Sequence, residues 1–382
     1  MLIRGGGGQD AGRLMKETTI MIVGAGLAGL YAAYRLEQCG MQDYLIVEAR
    51  AIPGGRIGCA VRANSTAVDR FDLGPTWFWP TLQPQLNQLV QGLGLKCFPQ
   101  HEQGEMLLER AADSAPARMR GYVSEPPGMR LVGGMQSLVD SICGYIDPQR
   151  IRTGRRAKAL RYNGERIEID SEEGCGRRES FVAKHVWLAL PPRIAARDLE
   201  FEPELPHALQ RQWSATPTWM APHAKYLAVY DRPFWREDGL SGEARSLVGP
   251  LGEIHDASMP GGSAALFGFF SLPANQRCSE PIERLYANCR EQLIRLFGLP
   301  AAAPAAEFIK DWALEPFIAT HADWLGVQRH ADSPDETARF GSWQGRLRGI
   351  ASEWSTHFPG YLAGAIEAAE GAVMSLTELN PR

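Results

Sequence analysis

An α/β fold is expected for this chain: a Rossmann-like lobe of parallel strands, with a discontinuous second α+β lobe inserted into it. Three observations lead there. Residues 18–56 combine an apolar β-branched run, glycines at G-x-G-x-x-G spacing and a helical apolar stripe. The order of the later strand-like and helix-like stretches implies a lobe that is left and re-entered. At 382 residues, the chain is also longer than one ordinary domain.

The first stretch carries the most information. Residues 18–23 read as a buried parallel strand. Gly24, Gly26 and Gly29 follow, with Leu27 and Ala28 among them. Leu27, Leu30, Tyr31, Tyr34 and Leu36 then form a stripe that stops at Gly40. Such glycines serve a tight turn, the close approach of backbone to a pyrophosphate, and close helix–strand packing. The helix start offers free N–H groups and a positive dipole end to phosphate. A second strand, 44–47, ends in Glu48, a carboxylate placed to accept both ribose hydroxyls of an adenosine. An acid there argues against a 2′-phosphate, hence against NADP. The tail, Glu48-Ala49-Arg50 followed by Gly54-Gly55-Arg56, favours FAD over NAD: Arg56 can offer planar donors to the pyrophosphate of a longer cofactor.

Beyond it, 70–80 (RFDLGPTWFWP) crowds aromatics behind a Gly-Pro break. Either this is a corner of the core, or the backbone of Gly74, Pro75, Thr76 and Trp77 runs along an isoalloxazine edge; Trp79 is a candidate for the substrate pocket. Helices are expected over 85–93 and 136–146, and strands at 151, 157–162 (with Ala157 a candidate cofactor contact), 167–169 and 181–190. The stretch 101–127 reads as a polar excursion, and 231–242 as a tryptophan-bearing loop. Strands at 226–230 and 264–270 follow, then an amphipathic helix over 281–298, an Ala/Pro linker at 299–306, a strand toward Trp312, and an alanine-rich helix starting near Gly360. The expected layout is a glycine-rich disordered leader, 1–17; an FAD-binding domain from 18–81, 130–204 and 340–382; and a substrate-binding domain from 82–129 and 205–339.

Bulk composition excludes several classes. The chain is 45% hydrophobic and 22% charged with a net charge of −4, which gives no sign of a nucleic-acid surface. No apolar run reaches the roughly 18 residues of a membrane span. The 7 cysteines are scattered without a C-x-x-C, which suits a reducing cytoplasmic setting and offers no zinc site. No metal is expected; a homo-oligomer is left open.

Taken together, these motifs resemble the flavin-containing amine oxidase family, which spans monoamine, polyamine and L-amino-acid oxidases. The matching stretches are VGAGLAGLYAAYRL…VEARAIPGGR, DLGPTW, GGMQSLVDSI, VWLALPP, AKYLAVYDRPFWRE and GYLAGAIEAAEGAV. The resemblance implies that Lys225 holds a water bridging to flavin N5, a catalytic role, and that Tyr361 forms one wall of an aromatic cage presenting the amine. It places Leu362 at the flavin-facing helix start and Glu353 near the ribityl chain. Trp312 matches a family tryptophan, and His321 or Trp324 is expected as the opposite cage wall.

Three departures stand out. Ser352 replaces a glycine beside the ribityl acid. No cysteine follows Cys289, so a C-terminal flavin thioether is unavailable and FAD should be non-covalent. The excursion 82–129 is also short. The implied reaction is oxidation of an amine C–N bond by hydride transfer to flavin, giving an imine and then an aldehyde or ketone. O2 is the expected electron acceptor, forming H2O2. The alternatives are an L-amino-acid oxidase with Arg62, Arg70 or Arg245 as carboxylate clamp, a FAD-binding protein with little turnover, and a desaturase-like relative.

Overall fold

The computed structural model describes residues 16–63, 68–325 and 332–379. The expected leader lies outside the described residues except for Lys16 and Glu17. These two open strand β1 (Lys16–Val23), pairing with Phe181 and Val182. Strand β1 leads into helix α1 (Leu27–Gln38) and strand β2 (Tyr44–Val47). It runs parallel to β2 on one side and to the strand Arg178–Leu188 on the other. Met21 and Ile22 are both fully buried, as a central parallel strand covered on two faces requires.

Around β1 lies a sheet of eight strands, including Arg155–Tyr162, Ile167–Glu173 and Leu347–Gly349. One face packs on α1, the helix Gln136–Cys143 and the closing helix Leu362–Leu379. The closing helix is tied to α1 through Glu370, which accepts from Tyr31 Oη (2.9 Å) and from Arg35 Nε and Nη2 (2.8 and 2.9 Å). The other face buries Trp213, Trp343 and Trp354.

A second sheet of seven strands runs in the order Ala306–Asp311, Ala224–Tyr230, Ala264–Phe270, Leu251–Asp256, Leu240–Ser246, Glu105–Glu109, Ala117–Arg120. The amphipathic helix Ile282–Phe297 lays Leu285, Leu293 and Leu296 on it. Four of these strands fall in stretches not expected to be strands, 101–127 and 231–258. Glu105–Glu109 pairs with Leu240–Ser246, a partner far along the chain, so no local alternation announces either. The acid that would mark the first as surface, Glu109, is buried and held by Ser246 Oγ (2.6 Å) and Arg295 Nε (2.8 Å). Among the described residues no helix is long and apolar enough to cross a membrane.

Candidate active site

Between the two sheets runs a cavity of about 700 Å³. Its first end is made largely of backbone. Gly26 caps α1 with no side-chain hydrogen bond, leaving the first-turn N–H groups unspent. Gly54–Gly55 crosses close beneath: a Cβ on Gly55 would lie 2.8 Å from Gly26 Cα, so the two glycines open a cradle that side chains would fill. Glu48 is buried at the end of β2, where Ala25 N–H donates to Oε2 (2.7 Å) and Arg50 N–H to Oε1 (2.8 Å). Two N–H donors leave lone pairs on both carboxylate oxygens for a diol. Ala49, Arg50, Gly24, Leu27, Ala28 and Ala157 line the same end. This donor set fits the ADP moiety of FAD.

Arg56 and Glu353, expected as separate cofactor contacts, are partners. Arg56 forms a two-pronged ion pair with Glu353, Nη2 reaching Oε2 at 2.9 Å, and Nη2 also donates to Ser352 Oγ at 3.1 Å. Ser352 sits in a short 3-10 turn, Ser352–Trp354, which needs no glycine backbone. Glu353 and Gly29 stand behind the cavity wall, Gly29 packed on the Gly24 carbonyl.

The second end is made of side chains. Gly74, Pro75, Thr76, Trp77 and Trp79 line one side, and Tyr361 and Leu362 the start of the closing helix. Lys225, on an interior strand, is 1% exposed. Its Nζ donates to Asp72 O (3.1 Å), Gly74 O (2.8 Å) and Thr76 Oγ1 (2.8 Å), and lies 4.3 Å from the Phe267 ring centre. Burial pushes the Lys225 ammonium well down, partly countered by the charge of Asp72, while burial pushes the Asp72 carboxyl up.

Two expected wall residues lie elsewhere. His321 is exposed and its ring meets that of Trp324 (5.4 Å), whose Nε1 donates to Ala313 O (3.0 Å); neither lines the cavity. The cause is Asp323 on the same short helix. Its buried carboxylate caps Thr320 and pairs with Arg193, turning the helix toward that arginine. Trp219 stands beside Tyr361 instead, ring centres 4.9 Å apart and tilted by 48°. Its only sequence signal was an aromatic shortly before the Lys225 strand. At that spacing the rings touch rather than face each other across a gap. Trp312 and His223 also line this end.

Comparison with known proteins settles the family. The model of the flavin containing amine oxidoreductases matches residues 108–376, and a NAD(P)-binding Rossmann-like domain matches 22–93. This chain belongs to the flavin-containing amine oxidoreductases. It is 22% identical to a probable flavin-containing monoamine oxidase A of Dictyostelium discoideum, over 91% of this chain and 95% of that one. It is 27% identical to a putrescine oxidase of Kocuria rosea, over 63% of this chain and 52% of the relative. In fold it is similar to cyclohexylamine oxidase from Brevibacterium oxydans (TM-score 0.77, 17% identity), covering 96% of this chain and 100% of that one. A putrescine-bound putrescine oxidase gives a TM-score of 0.75 at 18% identity, over 95% and 100%. The protein is therefore a flavin-dependent amine oxidoreductase, with FAD as its cofactor and an amine as substrate.

Proposed function

We propose that this amine oxidoreductase oxidises a small amine lacking an α-carboxylate and hands the electrons to O2, giving H2O2. The reading rests on one observation: a single cavity joins the glycine-and-Glu48 end to the buried Lys225 and the Trp219–Tyr361 pair. In this reading the first sheet with 18–81, 130–204 and 340–382 holds the cofactor, and 82–129 with 205–339 shapes the amine site. Bound FAD supplies the hydride acceptor, turning an amine into an imine that water hydrolyses. Trp77, Trp219, Trp312 and Tyr361 exclude water and orient a neutral amine. Toward a flavin bound there, Lys225 would contribute positive charge when protonated, and the start of the closing helix would turn its positive end to the same part of the cavity. No side chain is assigned as a general base.

The pairing of the arginines supports the amine reading over the amino-acid one. Arg245, which lines the cavity, is already paired with Glu253 and Glu243; Arg62 pairs with Asp231, and Arg70 with Asp140. A carboxylate clamp would have to break one of these pairs. The lack of any cysteine from 290 to 382 supports non-covalent FAD, and acid-precipitated protein should then release its flavin. The cysteine pattern supports a cytoplasmic setting.

The test is anaerobic bleaching of the purified yellow protein by a panel of amines and their α-carboxylated parents, followed by peroxide release on admitting air. Amines should bleach the flavin and their parents should not. Bleaching by the parents alone overturns the substrate class, and bleaching by neither favours a protein with little turnover.

A further inference from the structure

Three consecutive peptide carbonyls, beginning at the last residue of the strand Arg70–Asp72, are each captured by a side chain of the second sheet or its edge. Lys225 Nζ takes Asp72 O (3.1 Å) and Gly74 O (2.8 Å), and Trp312 Nε1 takes Leu73 O (2.9 Å) between them. The third N–H of Lys225 reaches Thr76 Oγ1 at 2.8 Å. On its other side the loop cannot recede. Leu73 N–H is bonded to Gly58 O (2.9 Å), and a Cβ on Gly74 would lie 2.1 Å from Arg56 O. Residues 73–77 of this same loop line the cavity.

We propose that Lys225, Trp312 and Thr76 form a clasp that sets the position of the 72–77 loop against the flavin, and that Thr76 keeps the clasp closed whether or not Lys225 carries a proton. An ammonium has three N–H donors, and here it has three acceptors. A neutral amine has two donors and a lone pair. The two carbonyls can only accept, but the Thr76 hydroxyl can turn and donate, so loss of the proton reverses one hydrogen bond and breaks none. The charges facing Nζ are Asp72 from the loop's own strand and Arg130 from Met129–Leu131. Lys310, opposite Lys225 on the next strand, is turned to Glu315 (2.9 Å). Phe267 and Phe269 flank the amine on the other side. Thr76 and Trp312 are thus positioning residues, acting through the loop. The inference rests on the reading that the flavin lies along 73–77.

The experiment uses Thr76→Val, close in shape but unable to hydrogen-bond, and Trp312→Phe, which keeps a ring but loses the N–H. In flavin-free protein, hydrogen exchange across 72–77 should accelerate in both variants and remain unchanged elsewhere. FAD titration should show Kd raised about five- to ten-fold in each. In loaded protein, Thr76→Val should move the pH profile of flavin reduction to lower pH, because the ammonium loses a stronger bond than the neutral amine does. Trp312→Phe should leave that profile in place. A purely structural role would lower Tm without moving the profile. Unchanged exchange at 72–77 in both variants overturns the clasp. A wild-type pH profile in Thr76→Val overturns the role of Thr76. Accelerated exchange with unchanged FAD affinity keeps the clasp but refutes the placement of the flavin along the loop.

Discussion

The two ends of the cavity are built from different materials. The ADP end is backbone: unspent N–H groups at α1, two glycines in close approach, and one carboxylate that itself holds two N–H groups. The amine end is side chain: touching aromatic rings, a buried lysine, and a loop held by its carbonyls. Backbone geometry tolerates almost no substitution but is specified locally, within a strand, a turn and a helix. Side-chain geometry can be retuned residue by residue, and it depends on elements brought together from across the chain. Damage at the first end should therefore appear chiefly as lost cofactor affinity, and damage at the second chiefly as lost rate, the 72–77 clasp costing only about five- to ten-fold in affinity.

The largest effect should come from Gly55→Ala. Gly55 has φ +58°, and its new Cβ would press on Gly26 Cα at 2.8 Å. Strain of about 1–3 kcal/mol adds to a steric block of the cradle, so FAD affinity should fall at least about 100-fold. Equilibrium titration of flavin-free protein checks this, and near-normal affinity would mean that the cradle does not hold the pyrophosphate. Glu48→Ala should weaken FAD by up to about 100-fold, since it removes the charged acceptor of the ribose diol, worth about 1.5–3 kcal/mol, while the stranded Ala25 and Arg50 N–H groups lower the stability of the fold instead. Lys225→Met should do the reverse: FAD stays bound within about ten-fold, while reduction by amine or reoxidation slows about 10- to 100-fold. Stopped-flow measurement of both half-reactions decides it. Unchanged rates in both remove Lys225 from the chemistry, and lost flavin would place it at the wrong end of the comparison.

The same division governed what could be read from sequence. The glycines, Glu48 and both flanking elements were legible because strand, turn, helix and strand follow one another within one short stretch, each announced by its own periodicity. Lys225 was marked by the resemblance of AKYLAVYDRPFWRE to the family's strand lysine and the PFW turn after it. The rest of the amine end was not legible. Trp219 reaches Tyr361 only through the fold, and His321 and Trp324 miss the cavity because Arg193, on a helix far earlier in the chain, holds Asp323. Likewise Arg56 and Glu353 each suggested a cofactor contact; they are 297 residues apart in sequence and bind each other, with Arg56 still lining the cavity. Only the packed structure decides whether a charged residue is spent on a neighbour or kept for a ligand.

The smallest predicted effect separates the two ends by pH. Lys225 is lowered by burial from 10.5 to about 7, so between those values the unfolded chain binds the proton that the folded chain has released. Its contribution to stability therefore rises with pH across that window and is lost as pH falls through about 7. Asp72, raised by burial from 3.8 to about 6, contributes fully below 3.8 and loses its contribution as pH rises through about 6. Between about pH 6 and 7 both charges are buried together, and the amine end is at its least stable. Urea unfolding of flavin-free wild type and Lys225→Met at pH 6.5 and 9 isolates the Lys225–Asp72 pair, because titrations away from it cancel in the difference. Wild type should gain about 2 kcal/mol over the variant between those pH values. No gain would mean that Lys225 keeps its proton to pH 9, its charge sustained by Asp72 and the two rings despite burial, and that the amine end carries a permanent cation. Glu48→Ala, at the other end, should leave this pH difference untouched.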